Sequence, residues 1–145
     1  MTPHFSLEEF TASDTAARLG IDNRLPDELR ENALKTLEMM ERIRFHIDAP
    51  ITITSGYRCK ALNGVIGSKP GSDHTMALAC DFRAPKAGSP FQVAASLAPV
   101  FKIIGIGQLI LEFGTWVHVS TRIPDKIINR IITIDKDGTR AGIWQ

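Results

Sequence analysis

Ser72-Asp-His-Thr-Met-Ala-Leu-Ala-Cys-Asp81 runs from a polar loop into a short expected strand at 77–82. In a strand, Ala79 and Asp81 point to one face, and His74 approaches that face from the loop before it. A carboxylate and an imidazole therefore converge. A third donor lies in Trp116-Val-His-Val-Ser120, where valines on either side of His118 would face a core and leave the imidazole on the opposite side. Two imidazole nitrogens and one carboxylate suit zinc, and three protein ligands leave a position open for water. The spacing alone is not diagnostic, because a core histidine with satisfied hydrogen bonds and an edge carboxylate would look the same.

Upstream of this stretch the chain reads as helical. Ser6 followed by Glu9 fits a capping box opening a short helix through Phe10, and Ser13-Asp14 before Gly20 suggests another. From Pro26, Leu29, Ala33, Leu37, Met40, Ile43 and Ile47 recur at steps of three and four, which predicts one long amphipathic helix. Ala49-Pro50 closes it, and Ile51–Thr54 alternates as a half-buried strand. Gly64, Gly67, Pro70 and Gly71 mark residues 63–72 as a loop. Downstream, Ser89-Pro90 opens a helix of residues 90–98. Lys102–Ile106, Gln108–Glu112, Trp116–Ser120 and Ile127–Ile134 are rich in strand-forming residues, and Asp137-Gly138 signals a hairpin. The expected class is α+β, with N-terminal helices packed on a small, mainly antiparallel sheet that carries the His-Asp-His site.

The length of 145 residues fits a single domain, 1–145, with no room for a separate binding module. Seventeen Lys and Arg against sixteen Asp and Glu leave a net charge of +1 without runs of one sign, which argues against nucleic acid as a partner. No segment has the length and apolarity of a membrane span, and the N-terminus lacks the basic and apolar regions of a signal peptide. Synthesis in the cytoplasm, with any action outside it following release, is the expectation, and a monomer is expected. Two cysteines are too few for a disulfide scaffold. Cys80 would point away from the face bearing Asp81 and is read as core. Cys59 falls on what reads as a neighbouring strand, so a bridge to Cys80 is conceivable, but sequence does not set the distance it needs. His4, near the terminus, and His46, in the last turn of the long helix, do not read as ligands.

Ser72-x-His74-x-x-Ala77-x-Ala79-x-Asp81 with Trp116-x-His118 resembles the S-x-H-x-x-G-x-A-x-D and W-x-H motifs of the zinc D-alanyl-D-alanine carboxypeptidase family. That family includes phage endolysins that cut peptidoglycan stem peptides, and it shares its metal-site fold with the amino-terminal signalling domain of hedgehog proteins. Thr54-Ser-Gly-Tyr-Arg58, followed by Leu62-Asn63, resembles the family's S-G-Y-R segment. Phe5-Ser-Leu-Glu-Glu-Phe and Leu19-Gly-Ile-Asp-Asn resemble the helical start of the endolysin-like branch. The resemblance covers about residues 5–120.

It implies one zinc ion held by His74, Asp81 and His118, and Arg58 holding a substrate carboxylate or the developing oxyanion, a task that suits a permanent cation with a fork of donors. Without the motif, Arg58 would read as a solvated cation at a strand end. A general base is also needed, and Glu112 is the choice, because a tight turn or bulge at Gly114 would bring its carboxylate beside His118. Asp73 is the competitor. Tyr57 is expected to pack beside the site, and with Ser72 and Trp116 to contribute to the substrate cleft. One position departs from the pattern: the family glycine is Ala77, which would be strained at positive φ and would cost nothing at negative φ. The implied activity is zinc-dependent hydrolysis of peptidoglycan stem peptides, as a carboxypeptidase or as an endopeptidase. The alternatives are an inactive metal-binding recognition module and a phage structural protein with the same fold.

Overall fold

Polar caps set the first elements. In the computed structural model, which describes residues 1–145, the Ser6 hydroxyl accepts from the Glu9 N–H to open helix α1 (Leu7–Thr11). Ser13 does the same for α2 (Asp14–Leu19), which Gly20 ends in the left-handed conformation. The long helix α3 spans Arg30–Ile47. It starts later than Pro26 suggests, because Pro26 keeps an extended ψ of 145° and a 3-10 turn, Asp27–Leu29, intervenes. Ala33, Leu37, Met40 and Ile43 are buried as the helical period requires, joined by Thr36 and Met39.

Strand β1 (Thr52–Ser55) leads to Cys59, which caps helix α4 (Lys60–Ile66) rather than lying on a strand. Only the part of 63–72 after Ile66 is loop, because Gly67 supplies the left-handed stop and Gly64 is carried inside the helix. A 3-10 turn, Asp73–Met76, precedes β2 (Ala79–Arg83), so Ala77 lies before the strand. The reciprocal capping box of Ser89 and Gln92 opens α5 (Pro90–Leu97). The next apolar run is a correction: Phe101–Ile104 forms a short helix, α6, stopped by Gly105, whose N–H reaches back to Phe101 and Lys102. The expected strand over Ile127–Ile134 is likewise shorter, since Ile127–Asn129 is a 3-10 turn.

Strands β3 (Gln108–Glu112), β4 (Trp116–Ser120), β5 (Ile131–Asp135) and β6 (Gly138–Ala141) complete a six-stranded sheet in the order β1-β2-β4-β3-β5-β6. Every neighbouring pair is antiparallel except β3–β5. Strand alternation divides the sheet into two faces. One, with Cys80, Phe82, Leu109, Leu111, Val117 and Val119, joins Leu37, Met40 and Ile43 of α3 and Val93 and Leu97 of α5 in a cluster of 22 buried residues. Each fully buried large apolar side chain there contributes about 1.5–3 kcal/mol relative to exposure. The other face is left for polar groups.

Candidate metal centre

The antiparallel register builds the polar face row by row. Asp81 lies opposite His118 on β4, and His118 lies opposite Ile110 on β3. His74 comes from the 3-10 turn, and the Ser72 hydroxyl caps that turn by accepting from the His74 N–H. His74 Nδ1 lies 2.7 Å from the Gly56 carbonyl oxygen. That carbonyl can only accept, so Nδ1 carries the proton and Nε2 is left as a free donor pair facing the sheet. Nε2 is 3.3 Å from Asp81 Oδ1, and His118 Nδ1 is 2.8 Å from the same oxygen. All three ligand atoms lie within 4.8 Å of one another, and all three residues are buried.

This donor set fits a zinc ion. Ligands about 2.0–2.1 Å from a tetrahedral zinc stand about 3.3 Å apart, which matches the His74–Asp81 separation. The shorter His118–Asp81 distance is that of a hydrogen bond, whose proton a metal replaces. The Gly56 carbonyl fixes the orientation of the His74 ring, as an outer partner would for an imidazole that holds a metal. Sequence reading missed that role, although Gly56 lies within the quoted S-G-Y-R segment.

The electrostatics follow from burial and proximity. Burial opposes ionisation of Asp81, yet the two imidazoles outweigh it and hold the carboxyl below its ordinary range. Burial lowers His74 despite Asp81. Burial also works against charge on His118, but the hydrogen bond and charge of Asp81 prevail and raise it.

Glu112 ends β3, and the turn after it places Phe113 (φ 54°) and Gly114 (φ 60°) in the left-handed region, with the Thr115 N–H donating to the Glu112 carbonyl. The turn leaves Glu112 Oε1 3.9 Å from His118 Nδ1. Burial raises the Glu112 carboxyl, and Asp81 adds to the shift against the pull of His118 and Arg58. Asp73 is placed differently: its two oxygens accept from Arg122 Nε at 2.6 Å and Ser120 Oγ at 2.8 Å. Both are occupied in tying the His74 turn to the end of β4.

Arg58 is 8% exposed, and its Nε has no partner. Burial lowers its pKa, while Asp81 and Glu112 lie near enough to oppose that shift. Its backbone N–H donates to the His74 carbonyl, so the cation and the first imidazole are joined. Tyr57 packs in the core cluster. Trp116 opens β4 half-buried, with its ring 5.9 Å from that of Phe113 and its indole N–H unpaired. Ala77 takes the left-handed conformation, φ 59°, so the alternative of a negative φ is not realised. Its N–H donates to the His74 carbonyl, and its carbonyl accepts from Thr36 Oγ1 at 2.8 Å. Cys59 and Cys80 are free thiols, Cys80 being fully buried on the core face.

A buried His-Asp-His donor set flanked by a carboxylate and an arginine, on an α+β fold, defines a metallopeptidase-type centre. The model of the peptidase M15 family matches residues 3–120, and the chain belongs to that family, whose members are zinc-dependent. No curated protein matches the chain significantly.

Proposed function

We propose that the chain is a zinc peptidase of peptidoglycan stem peptides in which His74 Nε2, Asp81 Oδ1 and His118 Nδ1 hold one metal ion. The convergence of these three atoms beside Glu112 carries the reading. A zinc ion held there supplies Lewis acidity, polarising the scissile carbonyl and lowering the pKa of water toward about 7. Glu112 accepts the proton of the attacking water and passes it to the leaving amine, a transfer favoured by its raised carboxyl. Arg58 faces the developing oxyanion or a substrate carboxylate with its guanidinium, whose burial excludes competing water. Asp73 holds the His74 turn through Arg122 and Ser120 and takes no part in proton transfer. Tyr57 acts as packing behind Arg58, Ser72 caps the His74 turn, and Trp116 walls the cleft. The enzyme works as a monomer at the wall after release from the cell. No helix is long and apolar enough to cross a membrane.

Purified peptidoglycan incubated with the zinc-loaded protein is expected to release peptide fragments, whose masses identify the bond cut. Chelation, His74→Ala and Asp81→Ala are each expected to abolish that release. Undiminished activity in a metal-free sample would overturn the reading.

A further inference from the structure

Residues 121–130, Thr-Arg-Ile-Pro-Asp-Lys-Ile-Ile-Asn-Arg, join β4 to β5. The segment is fastened at both ends. The Thr121 N–H donates to the Leu78 carbonyl, and the Arg122 guanidinium donates to Asp73. At the far end Arg130 donates to the carbonyls of Gly107 and Ile106, its guanidinium lies 4.6 Å from the centre of the Phe101 ring, and the Gln108 side chain donates to the Asn129 carbonyl. Between these anchors Ile127–Asn129 is wound into a 3-10 turn, yet Ile123, Ile127 and Ile128 are 60%, 82% and 65% exposed. A single exposed apolar side chain is ordinary, whereas three on one short, fastened segment form a patch.

The charge around the patch has one sign. Lys126 lies within it, and Lys102 and Arg130 both lie over the Phe101 ring at its edge. None of the three is in an ion pair. The one acid of the segment, Asp125, lies near enough to Arg122 to favour the charged guanidinium. The chain from Phe82 to Leu111, which contains α6, has no acid.

These properties select among partners. A second copy of the chain would set Lys126 and its neighbours against the same cations across a two-fold contact, which repels. A soluble polyanion would pair with the cations and leave the isoleucines in water. An anionic lipid surface takes both, with phosphates at the headgroup level and an acyl boundary beneath them.

We propose that the 121–130 segment docks the protein on an anionic lipid surface, with Ile123, Ile127 and Ile128 entering the boundary between headgroups and acyl chains while Lys126, Lys102 and Arg130 meet the phosphates. The contact is peripheral, and it is independent of the peptidase reading because it uses none of the residues which that reading requires. Through Arg122 and Asp73 the segment is joined to the His74 turn, so docking carries the metal centre to the same surface.

The test sediments the zinc-loaded full chain with lipid vesicles. Binding is expected on vesicles of phosphatidylcholine and phosphatidylglycerol in equal parts, falling as salt is raised, and only weakly on phosphatidylcholine alone. Replacing both Ile127→Ser and Ile128→Ser is expected to weaken binding about 10–100-fold, and Lys126→Gln about fivefold. Phe45→Ser removes an apolar side chain that is 89% exposed on α3 and is expected to leave binding unchanged. Thermal melting and zinc content of all variants should match the wild type, because the replaced side chains are exposed. Absence of vesicle binding, equal binding to the two kinds of vesicle, or equal losses in Phe45→Ser and the isoleucine variant overturns the proposal. A loss in Lys126→Gln with none in the isoleucine variant assigns the patch to a polyanion instead and also overturns it. A dimer that forms without vesicles and dissociates in the isoleucine variant assigns the patch to a second copy and overturns it as well.

Discussion

At the scale of single residues, Glu112 and His118 lead to separable outcomes. Glu112 touches no metal donor closely enough to replace it, so Glu112→Gln should retain zinc while turnover falls about 10²–10⁴-fold, the usual contribution of a general base. Metal analysis beside a rate measurement on peptidoglycan checks both halves, and full turnover in the glutamine variant would remove Glu112 from the mechanism. His118 sets the pH dependence of metal uptake. Its pKa in the metal-free chain is held up by Asp81 against its burial, so below that raised value the metal must displace a proton. Zinc affinity is therefore expected to fall by about tenfold per pH unit as pH drops through that value, and to level off above it. Competition with a chelating dye at several pH values measures the slope. His74, lowered by burial, enters only at lower pH. Histidine and aspartate positions were legible because donor chemistry and strand alternation are local properties. The backbone of Ala77 was not, because its left-handed conformation goes with the end of a 3-10 turn, where its carbonyl is held by the Thr36 hydroxyl, from a distant part of the chain.

At the scale of elements, the segment after β1 is held from both sides. The Tyr57 N–H donates to the Phe10 carbonyl of α1. Asn23 bridges as well, donating to the carbonyls of Thr11 and Tyr57 and accepting from the Cys59 N–H. Gly56 lies so close to α1 that a Cβ would collide with the Phe10 carbonyl oxygen and ring. Gly56→Ala must shift this segment, and with it the carbonyl that orients His74. The expected loss is about 1–3 kcal/mol of stability from overpacking and about 10–100-fold in zinc affinity from the displaced outer partner. Denaturant unfolding of the metal-free protein and chelator competition read the two effects separately, and an unchanged zinc affinity would show that Gly56 does not orient the ligand. The helices with polar caps and a clear period were readable from sequence, as were β1, β3 and β4. Helix α4 was hidden by Gly64, and α6 by a β-branched run, Ile103-Ile104, that tertiary packing and the Gly105 stop turn into helix. Pairing order was beyond local reading too, above all the parallel contact of β5 with β3.

At the scale of the whole molecule, one sheet separates an apolar layer from a chemical one, and β2 shows this in two adjacent residues. Asp81 faces the donors, while Cys80 is fully buried among the helices, its thiol pushed well above its ordinary value by burial. A thiolate is the species that reacts, so Cys80 should be inert for as long as the sheet stays closed. Cys59, half-buried at the start of α4, is reached from solvent without opening the sheet. The molecule thus contains two clocks, one timing local fraying and the other timing global opening. With a disulfide reagent in excess, Cys59 should be modified first and Cys80 at a rate proportional to the open fraction. Zinc should slow the second clock by the factor 1 + [Zn]/Kd and leave the first unchanged. Mass spectrometry of the labelled chain follows both, and equal slowing of the two thiols would show that metal binding and closure of the sheet are not coupled in this way.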